Sequence, residues 1–442
     1  DIKEQGIQIY NTSSSLNDNI TGGRIKCAGY LYNDRADFTP NAGIFEMYGP
    51  TGANIRCTNG GRFWDLAINK VDGGDGLMVK PFTDRDGTCY DGGKEANTAT
   101  AVSNISVYSH LYIDGGTFDL GIYDFTSIGG SAFIYGNLKM SDPANDFSVN
   151  WDIFWKPGST DEITNGNFWV KRHWYFEDGT NAQISWENTV HFNGTGIQYI
   201  YSLDSDAQMG GLSIDNTSNT VWIHSSSTQP LQVDGSMTVS TGSTFQIQGK
   251  SLEVVDGTLT IEDGATMYLS SSGGGQLTAN WYFDIYGSLI VGSGEVFVIG
   301  MAFDLWPSGY LFIDGGSFIE QSNSSHNFIR GEFIMHGGLY QTNATFSVRQ
   351  VPVLITGGTI KCDDFESPFP NTFQPTGGIV EIISEHPFFH FISCAEGNYF
   401  NNLKINVPAD AAGVYPSTDL EIKLDLTIES GTFDLQDQTV TV

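Results

Sequence analysis

The chain has 442 residues, of which 40% are hydrophobic, 13% aromatic and only 16% charged, with 53 glycines. That is too apolar for a disordered polypeptide, and too rich in β-branched, aromatic and turn residues for a helical one, so an all-β fold is expected. Its 51 acidic and 20 basic residues leave a net charge of −31; such a surface repels phosphate backbones and anionic lipid, excluding nucleic-acid binding, and no apolar run approaches the ~18 residues of a spanning helix, so no membrane insertion is expected.

Residues 1–108 are the least regular part, with loops such as "NDRADFTPNAG" and "KPFTDRDGTCYDGGKEANT". They hold Cys27, Cys57 and Cys89, while Cys362 and Cys394 lie far downstream. No C-x-x-C spacing is present, so a structural zinc is not expected; Cys27 with Cys57 and Cys362 with Cys394 are candidate pairs, against buried free thiols. "DRDGTCYDGG" sets Asp84, Asp86 and Asp91 around Gly87, a faint spacing of oxygen ligands for Ca²⁺ that lacks the closing Glu of an EF-hand. A solvated loop is the plainer reading, and no cofactor other than Ca²⁺ is suggested. Sequons occur at Asn11, Asn19, Asn104, Asn193, Asn216, Asn323 and Asn343, several of them expected by chance in so Asn-, Ser- and Thr-rich a chain; few lysines, abundant Gly, Ser, Thr and Asn and the acidic balance point to an extracellular or cell-surface protein.

From residue 109 to 442 the pattern is more regular. "LYIDGGTFDL" puts Leu111 and Ile113 on one face and Tyr112 on the other, breaks at Gly115 and Gly116, and resumes with Phe118 and Leu120 on one face. The unit is strand, sharp corner, strand, and it cannot bury its apolar face without a neighbour like itself. It returns as "LFIDGGSFIE" with corner residues Gly315 and Gly316, and as "LTIESGTFDLQ" with Gly431. Looser corners fall at Gly337, Gly357 and Gly377, and from Gly294 to Gly397 the steps are 21, 22, 20, 20 and 20 residues. That interval predicts a right-handed parallel β-helix, a three-sheet solenoid of about 20–22 residues per coil and about twenty turns. No linker composition interrupts it, so residues 1–442 read as one elongated solenoid, with irregular coils at 1–108 and regular ones at 109–442.

The segment 150–179, "NWDIFWKPGSTDEITNGNFWVKRHWYFEDG", is the compositional outlier. Trp151, Trp155, Trp169 and Trp174 lie close together beside Lys171, Arg172 and His173, a set that could stack on sugar rings or anchor a protein contact; a bulky core layer is the competing account. Asp204 and Asp206 alternate on a strand-like stretch and could share a face as a carboxylate pair. His386 and His390, in "EHPFFH", read as packing or loop residues. No Ser-His-Asp set, P-loop or dinucleotide fingerprint is present.

"GSMTVSTGSTFQIQG", "GTLTIEDGATMYL" and "LTIESGTFDLQDQTVTV" resemble the coils of secreted right-handed parallel β-helix repeat proteins, in particular the large repetitive surface proteins exported by some Bacteroidetes-like bacteria. The resemblance is clearest over 231–300 and 420–442. It implies an architecture and a surface location, not an activity. Pectin hydrolases of this fold carry Asn-Thr-Asp, Asp-Asp, Gly-His-Gly and Arg-Ile-Lys motifs. Here only Arg24-Ile25-Lys26 and Asp363-Asp364 occur, in reversed order, so no enzyme is expected. The closing "DLQDQTVTV" runs out as a strand without a helical or charged cap, so either more coils follow or a second copy is the partner that completes the edge, the latter giving filaments, a surface layer or an adhesin-like coat. The alternative is a carbohydrate-binding or polysaccharide-degrading β-helix protein that meets surface glycans through the Trp-rich segment 150–179.

Overall fold

The computed structural model describes residues 6–9, 20–35, 38, 40–49, 52–58, 61–70, 98–269, 275–300, 302–321, 326–383, 389–408 and 413–442. The fold is an all-β parallel solenoid, with three parallel sheets, about 17 turns and no helix among the described residues. The turn number falls below the twenty expected because corners carry insertions. Ala132, Ile153 and Trp174 follow one another at 21-residue steps, but Trp174 to Ile200 takes 26. The chain divides into two compact units, Asp1–Leu212 with Ser226–Gln229, and Ser213–Ser225 with Pro230–Val442.

In the first unit, one sheet contains Thr98–Ala101, Thr117–Asp119, Asn137–Met140 and Thr160–Ile163. A second contains Ile105–Val107, Phe125–Ser127, Asp146–Val149, Gly166–Val170 and Asn188–Phe192. The third runs from Thr21–Cys27 through Asp65–Asn69, Leu111–Gly115, Ala132–Ile134, Ile153–Trp155 and Trp174–Phe176 to Gln198–Ser202. The period-2 alternation operates as a sorting rule: Leu111, Ile113, Phe118 and Leu120 are fully buried, while Tyr112 faces outward. Each fully covered side chain of this size contributes about 1.5–3 kcal/mol relative to exposure, so a coil with several of them is held chiefly by its inward face. Inside, Phe118, Phe125, Phe147 and Phe168 form a chain of ring contacts at 6.2, 4.7 and 5.4 Å.

The second unit shows what the repeated phrase does. Tyr310–Glu320 is a single 11-residue strand that serves two ladders. Tyr310–Ile313 lies on Ser288–Val291, and Ser317–Glu320 lies on Glu295–Val298. Against the next strand, Glu332–Thr342, the register shifts twice, at Asp314 and before Ser317. Gly315 there has φ +90°, the left-handed conformation an L side chain resists, as do Gly116 at +70° and Gly431 at +86° in their corners. Gly115 is the last residue of its strand, and Gly316 sits against the preceding coil, where an added Cβ would lie 2.6 Å from the Gly292 carbonyl oxygen. At Gly337, Gly357 and Gly377 the left-handed step is taken one residue later, by Gly338, Gly358 and Gly378.

Candidate functional site

The four tryptophans of the outlier segment do not form one surface. Trp155 and Trp174 occupy inward positions of Ile153–Trp155 and Trp174–Phe176 and are fully buried, their rings 6.1 Å apart. They sit in phase with Ile153 and Phe176, so alternation turns them into the core and removes them from any contact with a ligand. Trp169, on Gly166–Val170, faces outward but is clasped: its Nε1 donates to Asp146 Oδ1 at 2.9 Å and its ring stacks on His191 at 4.0 Å. Trp151 alone is presented to solvent, 46% exposed, with the Arg172 guanidinium 5.1 Å from its ring centre.

The Trp169–Asp146 clasp recurs in the second unit. Trp306 Nε1 donates to Asp284 at 3.0 Å and Trp281 Nε1 to Asp256 at 3.3 Å, each indole reaching an aspartate on the coil before. Beside Trp306, Asp284 and Asp304 are register neighbours, and Arg330 lies 3.9 Å from Asp304. Burial pushes the Asp304 carboxyl up; Arg330 opposes this and Asp284 adds to it. The group ties coils together through an indole and a guanidinium.

Two features of the first unit were not anticipated. Tyr112, Phe133, Phe154, Tyr175 and Tyr201 stack on the outer face of the third sheet at 5.1, 4.9, 4.3 and 4.2 Å, with ring planes within 13°. Their faces are spent on one another, leaving edges and phenol hydroxyls outward. The signal was present in "LYI", "AFI", "IFW" and "WYF", each with an aromatic at its centre, but it emerges only when coils are aligned.

The second is a column of side chains at the starts of the strands of that sheet, at the first strand residue or one before it. Asp65 Oδ1 accepts from His110 N at 2.8 Å, His110 Nδ1 from Ser131 N at 2.9 Å, and Ser131 Oγ from Asp152 N at 3.3 Å. Asp152 Oδ1 then accepts from His173 N, and His173 Nδ1 from Tyr199 N, both at 3.1 Å. Every side chain holds the backbone of the next coil at the same corner.

The remaining candidates take structural places or fall elsewhere. Asp204 is buried, its Oδ2 accepting from Gly179 N and its Oδ1 from Asp206 N, both at 2.7 Å, while Asp206 is exposed; they do not form a shared carboxylate face. His390 is buried with Nδ1 3.4 Å from Asp364 Oδ1. Asp84, Asp86, Asp91, Cys89 and His386 lie outside the described residues. Cys27, Cys57, Cys362 and Cys394 are free and buried. The pairings considered from spacing do not form, since Cys27 and Cys57 belong to different sheets, as do Cys362 and Cys394. Burial pushes the thiols of Cys27, Cys57 and Cys394 up to about 12. Among the described residues no group of three His, Cys, Asp or Glu could hold a metal ion.

On the outer face of the second unit, Lys361, Glu381, Lys404 and Glu429 alternate in charge along successive coils. Lys361 and Lys404 approach Glu381 at 3.4 and 3.1 Å, and Lys404 also pairs with Glu429. Burial works to raise the Glu381 carboxyl, but hydrogen bonds from Asn406 and Lys404 and the nearby lysine charges outweigh it, holding the group below the usual carboxylate range. Comparison with family models, with curated proteins and with solved structures returns no match to this chain.

Proposed function

We propose that the protein is an extracellular structural solenoid that extends end to end, residues 424–430 of one copy, beyond the part of that strand paired with Val440–Thr441, receiving the strand Thr21–Cys27 of the next. One observation carries this. In the column Ile382, Ile405, Ile428 the first two side chains are fully buried and Ile428 is 50% exposed, with Leu424 beside it 60% exposed. These are core-phase residues left about half exposed along a sheet edge, and covering the remainder of each adds about 1 kcal/mol to association.

Charge gives the contact a direction. The alternating outer column reaches Glu429, which is exposed, with Asp425 near it; Thr21–Cys27, the outermost described strand of its sheet, carries Arg24 and Lys26, each partly exposed and bridged to Glu46 at 3.0 and 3.2 Å. Stacking the two strands continues the alternation, and a heterologous contact of this kind propagates as a fibre. The acidic, Gly- and Asn-rich composition supports a place outside the cell. Sedimentation velocity and negative-stain micrographs test the proposal: wild type should form linear particles that Ile428→Glu abolishes and Glu429→Lys weakens. A wild-type chain that stays monomeric at high concentration sinks it.

Glycan contact is the second reading, favoured by exposed Trp151 under Arg172 and by Trp186, 63% exposed. Binding on a panel of acidic and neutral polysaccharides, lost in Trp151→Ala or Trp186→Ala, would establish it, and silence across the panel would remove it.

A further inference from the structure

We infer that the corner column of the first unit is a proton-operated latch, in which protonating His110 and His173 releases two of its hydrogen-bonded rungs and loosens the coils they join. The column has three kinds of acceptor: the carboxylates of Asp65 and Asp152, the hydroxyl of Ser131, and the imidazole Nδ1 of His110 and His173. A carboxylate or hydroxyl keeps its lone pairs throughout the neutral and mildly acidic range. An imidazole has one lone pair, and using Nδ1 as acceptor forces the ring proton onto Nε2.

When the ring takes a second proton, Nδ1 becomes a donor aimed at another donor: at Ser131 N, 2.9 Å away, for His110, and at Tyr199 N, 3.1 Å away, for His173. Both rungs then turn from attraction to repulsion, while the carboxylate rungs persist.

Charged and aromatic groups surround both rings. Asp65 faces His110 from the strand Asp65–Asn69, with the Tyr112 and Phe133 rings 5.9 and 5.8 Å from the imidazole. His173 is faced by Asp152, by Arg172 3.8 Å from that carboxylate, and by the phenols of Tyr175, Tyr199 and Tyr201 at 6.2, 5.1 and 6.4 Å. Protonation thus removes two inter-coil rungs from the column, and this face of the first unit becomes acid-responsive.

Hydrogen exchange read by mass spectrometry on the whole chain tests the latch. Between pH 7.5 and 5.5, after correction for intrinsic rates, peptides spanning 128–134 and 196–202 should lose about fivefold to tenfold protection, the size of one lost hydrogen bond. The peptide around His173 N, held by the Asp152 carboxylate, should not. His110→Asn and His173→Asn keep an oxygen acceptor without a titrating ring and should hold protection flat across the same interval. Protection in wild type that does not change with pH, or that falls equally in the Asn variants, overturns the proposal. Nitrogen-15 shifts of the wild-type imidazoles give an independent reading: at pH 7.5 the proton should reside on Nε2, and finding it on Nδ1 also overturns it.

Discussion

Replacing Trp174 by Ala separates a core tryptophan from a contact tryptophan. The ring is fully buried, 5.4 Å from Phe168, 5.5 Å from Phe176 and 6.1 Å from Trp155. Truncation leaves a cavity among three aromatic rings, for which the expected loss is about 3–5 kcal/mol. In a unit of this size 1 kcal/mol moves the midpoint by roughly 2–4 °C, so the melting transition of the first unit should fall by about 6–20 °C. Trp151→Ala, at an exposed corner, should stay within about 0.5 kcal/mol of wild type. Trp174→Phe supplies an internal check. The buried Nε1 has no hydrogen-bond partner, so Phe removes an unsatisfied donor as well as volume, and the two effects, each about 1–3 kcal/mol, should largely cancel. The assay is differential scanning calorimetry of the three variants beside wild type. If Trp174→Ala melts with Trp151→Ala, the ring is not a core element and the inward assignment of that strand is wrong.

Gly338→Ala should destabilise the second unit by more than about 2 kcal/mol, because φ is +83° and the new Cβ would lie 2.0 Å from the Gly316 carbonyl oxygen; Gly158→Ala, at φ +79° with open space around it, should cost only about 1 kcal/mol in the same denaturation assay. Since the folded chain holds Glu381 below its unfolded value, that group stabilises fully above the unfolded carboxylate range, and the contribution is lost as pH falls through the lower folded value. Denaturant midpoints across mildly acidic pH should therefore decline less steeply in Glu381→Gln than in wild type, and parallel curves would refute the link.

The corner phrase was legible because everything it needs is local. Alternation in "LYI" and "TFDL" assigns faces, and a Gly pair between them permits the turn, whatever lies on the neighbouring coil. Trp155 was nearly as legible, since its phase with Ile153 turns it inward, as a bulky core layer requires. The aromatic ladder and the corner column were hidden for another reason. Their members stand 21 to 45 residues apart, and the spacing varies with each insertion, as between Tyr175 and Tyr201.

Composition and periodicity by themselves determined that this chain is all-β, solenoidal and built on apolar strands joined at glycine corners, since those properties follow from side-chain alternation and backbone sterics within one coil. Tertiary structure decided which side chains meet between coils: Cys27 and Cys57 on separate sheets, Asp146 under Trp169, His110 beneath Ser131 N. Those meetings depend on coil lengths summed along the chain. One inserted residue moves a side chain out of its column without altering the local pattern that made the strand.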